Sequence, residues 1–400
     1  MRIAFITPEF VTETYFSGGL ANYVHRVSIA LAEMGHEVHI IILSVNRLES
    51  FRHGEIWVHP ITVNPRRPWV FKVTRRFLYE PGQWLSFSYK AWRRLEALHR
   101  EQPIDIVQVA NYRACGLFIA AFSRISNVTR LSSLQRAWHD ASETPRHLNV
   151  AAKEWLECLQ LRLCRHIFSP SHSLATMLER QIGINRVEVI RSPAFIETTN
   201  MDKTLYRTHL NGKRYLLFVG RYQLHKGVHI LAEALPTVLD TLPDCEAVFI
   251  GKDMPNHLGP SMESYIRERC IGFEERLHFF GQTTHEQLYP IMAGARLAVL
   301  PSLVDNLPNT MLEAMKFGCP VVGTFGASFD EMIEDGISGF LVPPKDSRAL
   351  ANKIVLAWNH AQLEKIGNNG KAVIESLKPE IAVARLLGYY KAVIAKQHET

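Results

Sequence analysis

A pair of doubly wound α/β domains is the fold class that this sequence of 400 residues predicts. Three observations carry it. Short apolar runs alternate with segments of helical periodicity from residue 2 onward, and the same alternation restarts after residue 212. Hydrophobic residues make up 47% of the chain, enough to fill two cores of ordinary size.

In chain order, Arg2 to Ile6 reads as a buried strand, and Leu20, Val24, Val27, Leu31 and Met34 then recur at helical spacing until Gly35 stops the helix. Val38 to Leu43 is the second strand, and later ones lie at Asp105–Val109, Asn127–Leu131 and His166–Ser169. Strands separated by helices imply a parallel sheet, since parallel neighbours need a crossover of that length. Ser192 to Gly212 is polar and aperiodic and reads as a linker. Beyond it, Arg214–Val219, Glu246–Ile250, Leu277–Phe280, Leu297–Leu300 and Val321–Val322 read as strands, each followed by helical sequence. Lys378 to Lys396 returns to a helical pattern. The expected division is therefore 1–195, 213–377 and a closing helix in 378–400, with two Rossmann-like halves facing across a substrate cleft.

No apolar run reaches the roughly 18 residues of a membrane-spanning helix, and the apolar opening Met1–Pro8 is too short for a signal peptide, so a cytoplasmic chain is expected. Cys115, Cys158, Cys164, Cys245, Cys270 and Cys319 form no C-x-x-C pair, which suits reduced thiols without a structural metal. A formal net charge of +6 is too small for this length to argue for a nucleic-acid partner. Between Pro65 and Arg100, however, nine Lys/Arg stand against two Glu and are interleaved with Trp69, Phe71, Phe77, Tyr79, Trp84, Phe87, Tyr89 and Trp92. That segment suits peripheral contact with an anionic membrane, at its inner face, or with a lipid-linked phosphate acceptor. It equally suits a solvated basic helix face with its aromatics in the core.

The densest chemistry lies between Pro301 and Val322. Pro301 and Ser302 end a strand, and Pro308 is tolerated only before or at the first helical turn, so a helix begins near Asn309 or Thr310 and stops at Gly318. Asp305 and Glu313 stand eight positions apart around that helix start, where unpaired N–H groups favour an anion. Thr310 to Glu313 also fits a capping box, in which hydroxyl and carboxylate satisfy those N–H groups themselves.

Arg221 directly follows a strand, and Lys226 comes five residues later in a loop bounded by Gly220 and Gly227. A planar fork of donors beside a mobile point charge can neutralise a diphosphate, although surface cations near loops are common. Gly18 and Gly19 join the first strand to the first helix, allowing close backbone approach by an anionic ligand. The G-x-G-x-x-G spacing of a dinucleotide fold is missing there. With no D-x-D and no H-E-x-x-H, no metal and no cofactor are expected. His139 and His225 lie in loop-like sequence beside the motifs; a lone His is more often a surface or satisfied core residue than a catalyst.

Taken in order, Gly18–Gly19, Gly220–Arg221 with Lys226–Gly227, Pro301–Ser302, Asp305 and Glu313 at E-x7-E spacing, and Gly336–Pro344 (GISGFLVPP) resemble the family 4 glycosyltransferases. The resemblance spans nearly the whole chain. It implies a GT-B fold, a nucleotide-sugar donor site in the C-terminal half, an acceptor site mostly in the N-terminal half and a closing helix that returns to the first domain. Position by position, it implies that Arg221 and Lys226 hold the donor diphosphate, that Glu313 binds the ribose hydroxyls and that the N–H groups of Thr310 and Met311 face phosphate. Gly19 and Gly220 belong to the same donor side. Asp305 stands where the family usually has Glu and would meet hydroxyls of the transferred sugar, while Asn306 to Asn309 replaces a common F-G pair. Ser132 takes a position where members often carry His, and with Gly18 and His139 it forms the acceptor or sugar side.

The expected activity is retaining, metal-independent transfer from a nucleoside diphosphate sugar, uridine-linked before guanosine-linked. The expected acceptor is a glycan or lipid-linked saccharide of a surface polysaccharide. A sugar-nucleotide epimerase of the same fold and a non-catalytic nucleotide-sugar binder are the alternatives.

Overall fold

Every residue of Arg2–Thr7 (β1) is buried, so this run has no polar face and can only be an interior strand. It belongs to the first of two units into which the chain divides, 1–139 with 144–193 and 379–400; the second unit is 140–143 with 194–378. The computed structural model describes residues 1–13, 18–63, 78–254 and 258–398.

The other strands of the first unit are β2 (Glu37–Ser44), β3 (Phe51–His53), β4 (Ile56–Thr62), β5 (Ile106–Ala110), β6 (Asn127–Arg130), β7 (Ile167–Ser169) and β8 (Val187–Val189). Their order is β3-β4-β2-β1-β5-β6-β7-β8. All neighbours pair in parallel except β3 and β4, which are antiparallel, so the expectation of a wholly parallel sheet is corrected at this edge. The two-residue connection Gly54-Glu55 leaves room for a hairpin and none for a crossover. Strands β3, β4 and β8 escape a periodicity search for simple reasons. Two are three residues long, and β4 carries Pro60, which counts against a strand.

The closing helix, Pro379–His398, belongs to the first unit. Its fully buried Tyr390 donates a hydrogen bond to Gln108 Oε1 of β5 at 2.5 Å, and Tyr389 meets the ring of Phe168 in β7 edge-on.

In the second unit, β9 (Arg214–Val219), β10 (Cys245–Ile250), β11 (Leu277–Phe280), β12 (Leu297–Leu300), β13 (Val321–Thr324) and β14 (Phe340–Val342) form a parallel sheet in the order β11-β10-β9-β12-β13-β14. Leu216 and Phe218 of β9 enter one apolar cluster, while Tyr215 and Leu217 enter another. Successive side chains point to opposite faces, so both faces are covered and the sheet is doubly wound. The expected linker is corrected in its second half: Thr204–His209 is a short helix. Asp202 accepts the Thr204 N–H at 2.9 Å, and the following Leu210 is fully buried.

The six cysteines are free thiols, and burial pushes Cys115, Cys164, Cys245 and Cys319 up to about 12, which makes them inert. Among the described residues, no helix is long and apolar enough to cross a membrane.

Gly227 fixes the relation between the β9 and β12 loops. Its φ is +67°, and a Cβ there would lie 1.8 Å from the carbonyl oxygen of Pro301. Gly212 is equally left-handed (φ +80°) but has open space around it. Gly227→Ala should therefore lower stability by about 3 kcal/mol or more, against about 1 kcal/mol for Gly212→Ala. Denaturation midpoints at unchanged m would measure both, and equal losses would contradict the close approach.

Candidate active site

In the second unit the site grows from the loops at the carboxyl ends of β9, β12 and β13, where open parallel sheets gather ligands. After β9, the Gly220 N–H donates to the Ile250 carbonyl and the Tyr222 N–H to the Lys252 carbonyl, both at 2.9 Å. Buried Tyr222 packs on Phe218 and Phe249, which leaves the intervening Arg221 exposed. A 3-10 turn, Leu224–Lys226, follows. There His225 is buried, its carbonyl accepts the Leu303 N–H at 2.8 Å, and burial, aided by Lys226 and Arg221, pushes its imidazole down to about 3. This histidine is neutral at ordinary pH.

Lys226 reaches across to the β12 loop. Its Nζ lies 2.5 Å from Asp305 Oδ2, and the pair is largely covered, with 27% and 11% of the side-chain surfaces exposed. The other carboxylate oxygen accepts the Asn306 N–H at 3.0 Å, and the Asp305 carbonyl accepts from Ser328 Oγ at 3.1 Å. Arg221 and Lys226 flank one loop, but the ionic partner of Lys226 is Asp305.

The helix after this loop spans Asn309–Lys316 with Pro308 at its N-cap and no side-chain cap. The capping-box reading of Thr310 and Glu313 is thereby corrected. Thr310 is already inside the helix, and both the Met311 and Leu312 N–H groups donate to the Pro308 carbonyl, at 3.0 and 3.2 Å. Met311 N–H, expected to face phosphate, is thus engaged, and Met311's side chain is buried in the core. The helix offers no carbonyl to the N–H groups of Asn309 and Thr310, which remain the anion-facing donors of this start. Freed from capping, Glu313 is 13% exposed, with its carboxylate 3.5 Å from His285 Nε2. His285 opens the helix His285–Gly294, and nothing in the sequence around it signals this pairing.

In the first unit, Gly18 is the N-cap of the helix Gly19–Glu33, and its carbonyl accepts the Asn22 N–H at 3.1 Å. Glu9 closes over this start: a Cβ on Gly18 would be 3.1 Å from Glu9 Oε2.

Ser132 and His139 hang on a single buried frame. The Ser132 N–H donates to Asn111 Oδ1 at 2.7 Å; Asn111 Nδ2 donates to the Ser133 carbonyl at 2.5 Å and to Glu157 Oε1 at 2.8 Å. The other oxygen of Glu157 accepts the N–H of Gln135 at 2.8 Å, at the start of the helix Gln135–Ala141. His139 lies on that helix and not in a loop, a correction that follows from this cap. Its Nδ1 is 2.8 Å from Glu154 Oε1, so Nε2 is the ring nitrogen left for other chemistry. Glu154 and Glu157 sit one turn apart on the helix Leu148–Leu163. Glu157 shares that helix's apolar face with Val150 and Leu161, the one sequence signal that could have found it.

Within the basic aromatic segment, 64–77 lies outside the described residues, including Trp69, Phe71 and Phe77. The rest is the helix Tyr79–Glu101. Phe87 goes into the core, but exposed Tyr89 joins Trp92, Phe118 and exposed Phe122 in an aromatic cluster with centroids 5.4 to 6.5 Å apart. Among the described residues, no group of three or more His, Cys, Asp or Glu could hold a metal ion.

A family model described as Glycosyltransferase Family 4 matches residues 17–194, and one described as Glycosyl transferases group 1 matches residues 213–360. The chain is 28% identical to a phosphatidyl-myo-inositol mannosyltransferase of Mycobacterium leprae over 181 residues, 44% of this chain and 46% of that one. It thus spans about half the length of that relative. Among solved structures, a sucrose-phosphate synthase from Thermosynechococcus elongatus superposes with a TM-score of 0.80 at 19% identity, covering 99% of this chain and 100% of the other. Anabaena Alr3699/HepE in complex with UDP and glucose superposes with a TM-score of 0.67 at 18% identity, covering 98% and 99%. At these identities the likeness is one of fold, and with the two sheets it establishes GT-B.

Burial pushes Glu157 from an ordinary 4.5 up to about 8, with Glu154 adding to the rise and the hydrogen bonds from Gln135 and Asn111 opposing it. The folded value is raised, so the stability this carboxyl contributes is fully present below about 4.5 and is lost as pH rises through about 8. Denaturation midpoints of the parent should fall across that window more steeply than those of Glu157→Gln, which cannot ionise. Parallel slopes would remove Glu157 as the buried acid.

Proposed function

Because the chain belongs to the family 4 glycosyltransferases, we propose that it moves a sugar, with retention at the anomeric carbon, from a nucleoside diphosphate sugar to a hydroxyl of a glycan or lipid-linked saccharide. One observation carries the donor assignment. Lys226 and Asp305, 2.5 Å apart, stand in the two loops beside a helix start whose Asn309 and Thr310 N–H groups have no intrahelical partner, with Glu313 one turn further on. A cation, anion-facing donors and two carboxylates match a ligand that carries a diphosphate and many hydroxyls. HepE, solved with UDP and glucose, supports uridine over guanosine in the donor.

In the proposed step the acceptor oxygen bonds to the anomeric carbon on the face from which the diphosphate departs. The old C–O bond breaks with its electron pair on the phosphate oxygen, which also takes the acceptor proton. Arg221 and Lys226 offset the charge growing on that leaving group, so the reaction calls for no metal ion. As Lys226 turns to phosphate, Asp305 becomes free to accept from sugar hydroxyls, and Glu313 accepts from the ribose. Gly220 lines the donor side in the second unit, and Gly18, Ser132 and His139 the acceptor side in the first. Exposed Tyr89 of the Tyr79–Glu101 helix, with Lys90 and Arg93 beside it and exposed Phe122 in the same aromatic cluster, supports a lipid-linked acceptor at a membrane surface.

Glu313→Ala and Lys226→Ala should each lower transfer at least tenfold, about 1.4 kcal/mol of transition-state stabilisation. The parent should keep its rate in EDTA and give an α-linked product from an α-linked donor by proton NMR. Full activity in both purified variants would remove the donor site from these residues. Interconversion of the nucleotide sugar without any acceptor would identify an epimerase instead.

A further inference from the structure

The geometry points to an anion-binding subsite on Arg130 in the first unit, which takes a phosphate or carboxylate group of the acceptor. This rests on the first unit being the acceptor half. Arg130 is the last residue of β6, at the carboxyl edge of the sheet, and is 8% exposed. Its Nη1 donates to Ser132 Oγ at 3.2 Å and its Nη2 to Ser192 Oγ at 2.9 Å, and the guanidinium lies 3.8 Å from the centroid of the Tyr23 ring. Its Nε is buried without a hydrogen-bond partner.

Among the described residues, no carboxylate pairs with this cation. Arg2, the other cation classed as buried among the described residues, does have one, Glu37 at 3.1 Å. Hydroxyls and an aromatic face supply only dipoles and a quadrupole, which do not cancel a full charge held away from water. Nor can the charge be shed at any ordinary pH, because a guanidinium stays protonated in proteins. Burial lowers its pKa, the sign of a cation poorly compensated where it lies.

An oxyanion seated beside Ser132 and Ser192 supplies the missing charge. Both side chains are half-buried, so they form the rim of the site. The Ser192 hydroxyl, which accepts from Arg130, can at the same time donate outward to the incoming oxygen. Each Nη group uses one N–H on a hydroxyl and has a second, and phosphate and carboxylate match such paired guanidinium donors in two-point contact. A neutral sugar lacks the charge that the site is missing.

The test is thermal unfolding of the Lys226→Ala protein, in which the donor half is weakened, titrated with inorganic phosphate, glucose 6-phosphate, glucuronate and, as the neutral control, glucose. The anions should raise the midpoint saturably and glucose should not. Adding Arg130→Met should weaken that protection at least tenfold in apparent Kd. Co-sedimentation with phosphatidylglycerol vesicles that depends on Arg130 would place the anion on a lipid, and protection by glucose 6-phosphate would place it on a soluble acceptor. Equal protection with and without Arg130→Met, or no protection by any anion, overturns the proposal. Should Arg130→Met fail to fold, the Ser132→Ala, Ser192→Ala pair takes its place, and undiminished anion binding by that variant is equally fatal. UDP protection of the single Arg130→Met protein should match the parent. Its absence from the parent as well would count against the donor half and leave the anion result standing.

Discussion

The second unit depends on one close approach, the backbone of Gly227 against the carbonyl of Pro301. With no side chain at 227, the turn Leu224–Lys226 lies flat on the segment that leaves β12, and the Leu303 N–H reaches the His225 carbonyl at 2.8 Å. Thr324 Oγ1 at the end of β13 donates to the Ser302 carbonyl at 2.6 Å, and Ser328 holds the carbonyl of Asp305. Three strand ends are thereby tied into one surface before any charged group is considered. The Lys226–Asp305 contact is a product of that surface more than a cause of it. For a largely covered pair the cost of desolvating both charges offsets most of their attraction, so the packing beneath it holds the loops.

That ordering matters for the chemistry. If the pair held the loops, a ligand that captured Lys226 would loosen the site at the moment it was needed. Because backbone contacts hold the loops, Lys226 can exchange Asp305 for phosphate while both stay in place. Glu313 and His285 follow the same logic at the far side of the Asn309–Lys316 helix. The carboxylate is already desolvated to 13% exposure, its imidazole partner is half-exposed, and a hydroxylated ligand can replace that partner at small cost. Asp305 in place of a longer carboxylate also has a concrete effect, since its short side chain meets Lys226 directly while its other oxygen is held by the Asn306 N–H.

Most of the strand framework was legible, because buried parallel strands are apolar runs between helical periods, and β1, β2, β5, β6, β7 and β9 to β13 have that form. What failed were three-residue strands, β3, β8 and β14, although β7 of the same length was found, and β4, where Pro60 is a residue with two meanings. The motif residues around Pro301 to Glu313 were legible as a group. Their partners were not, since Lys226 and Asp305 are 79 positions apart and His285 meets Glu313 across two helices. The capping box failed because Pro308, at the N-cap, already offers its carbonyl to two N–H groups, so the helix starts two residues too early for Thr310 to cap it.

The two units also treat charge differently, and the difference bears on what each can do. In the second unit Lys226 with Asp305 and Glu313 with His285 are partly exposed and paired, ready to trade partners. In the first unit Glu157 and Arg130 are more than nine-tenths buried, and neither has an ionic partner among the described residues. Glu157 is held by neutral donors alone, and its role is architectural: through Asn111 and Gln135 it fixes the Ser132 loop and the start of the helix that carries His139. Arg130 ties Ser132 to Ser192 and lies on the Tyr23 ring, but these neutral contacts do not cancel its charge. A buried charge kept without a counter-charge is accounted for by a ligand that brings the counter-charge with it.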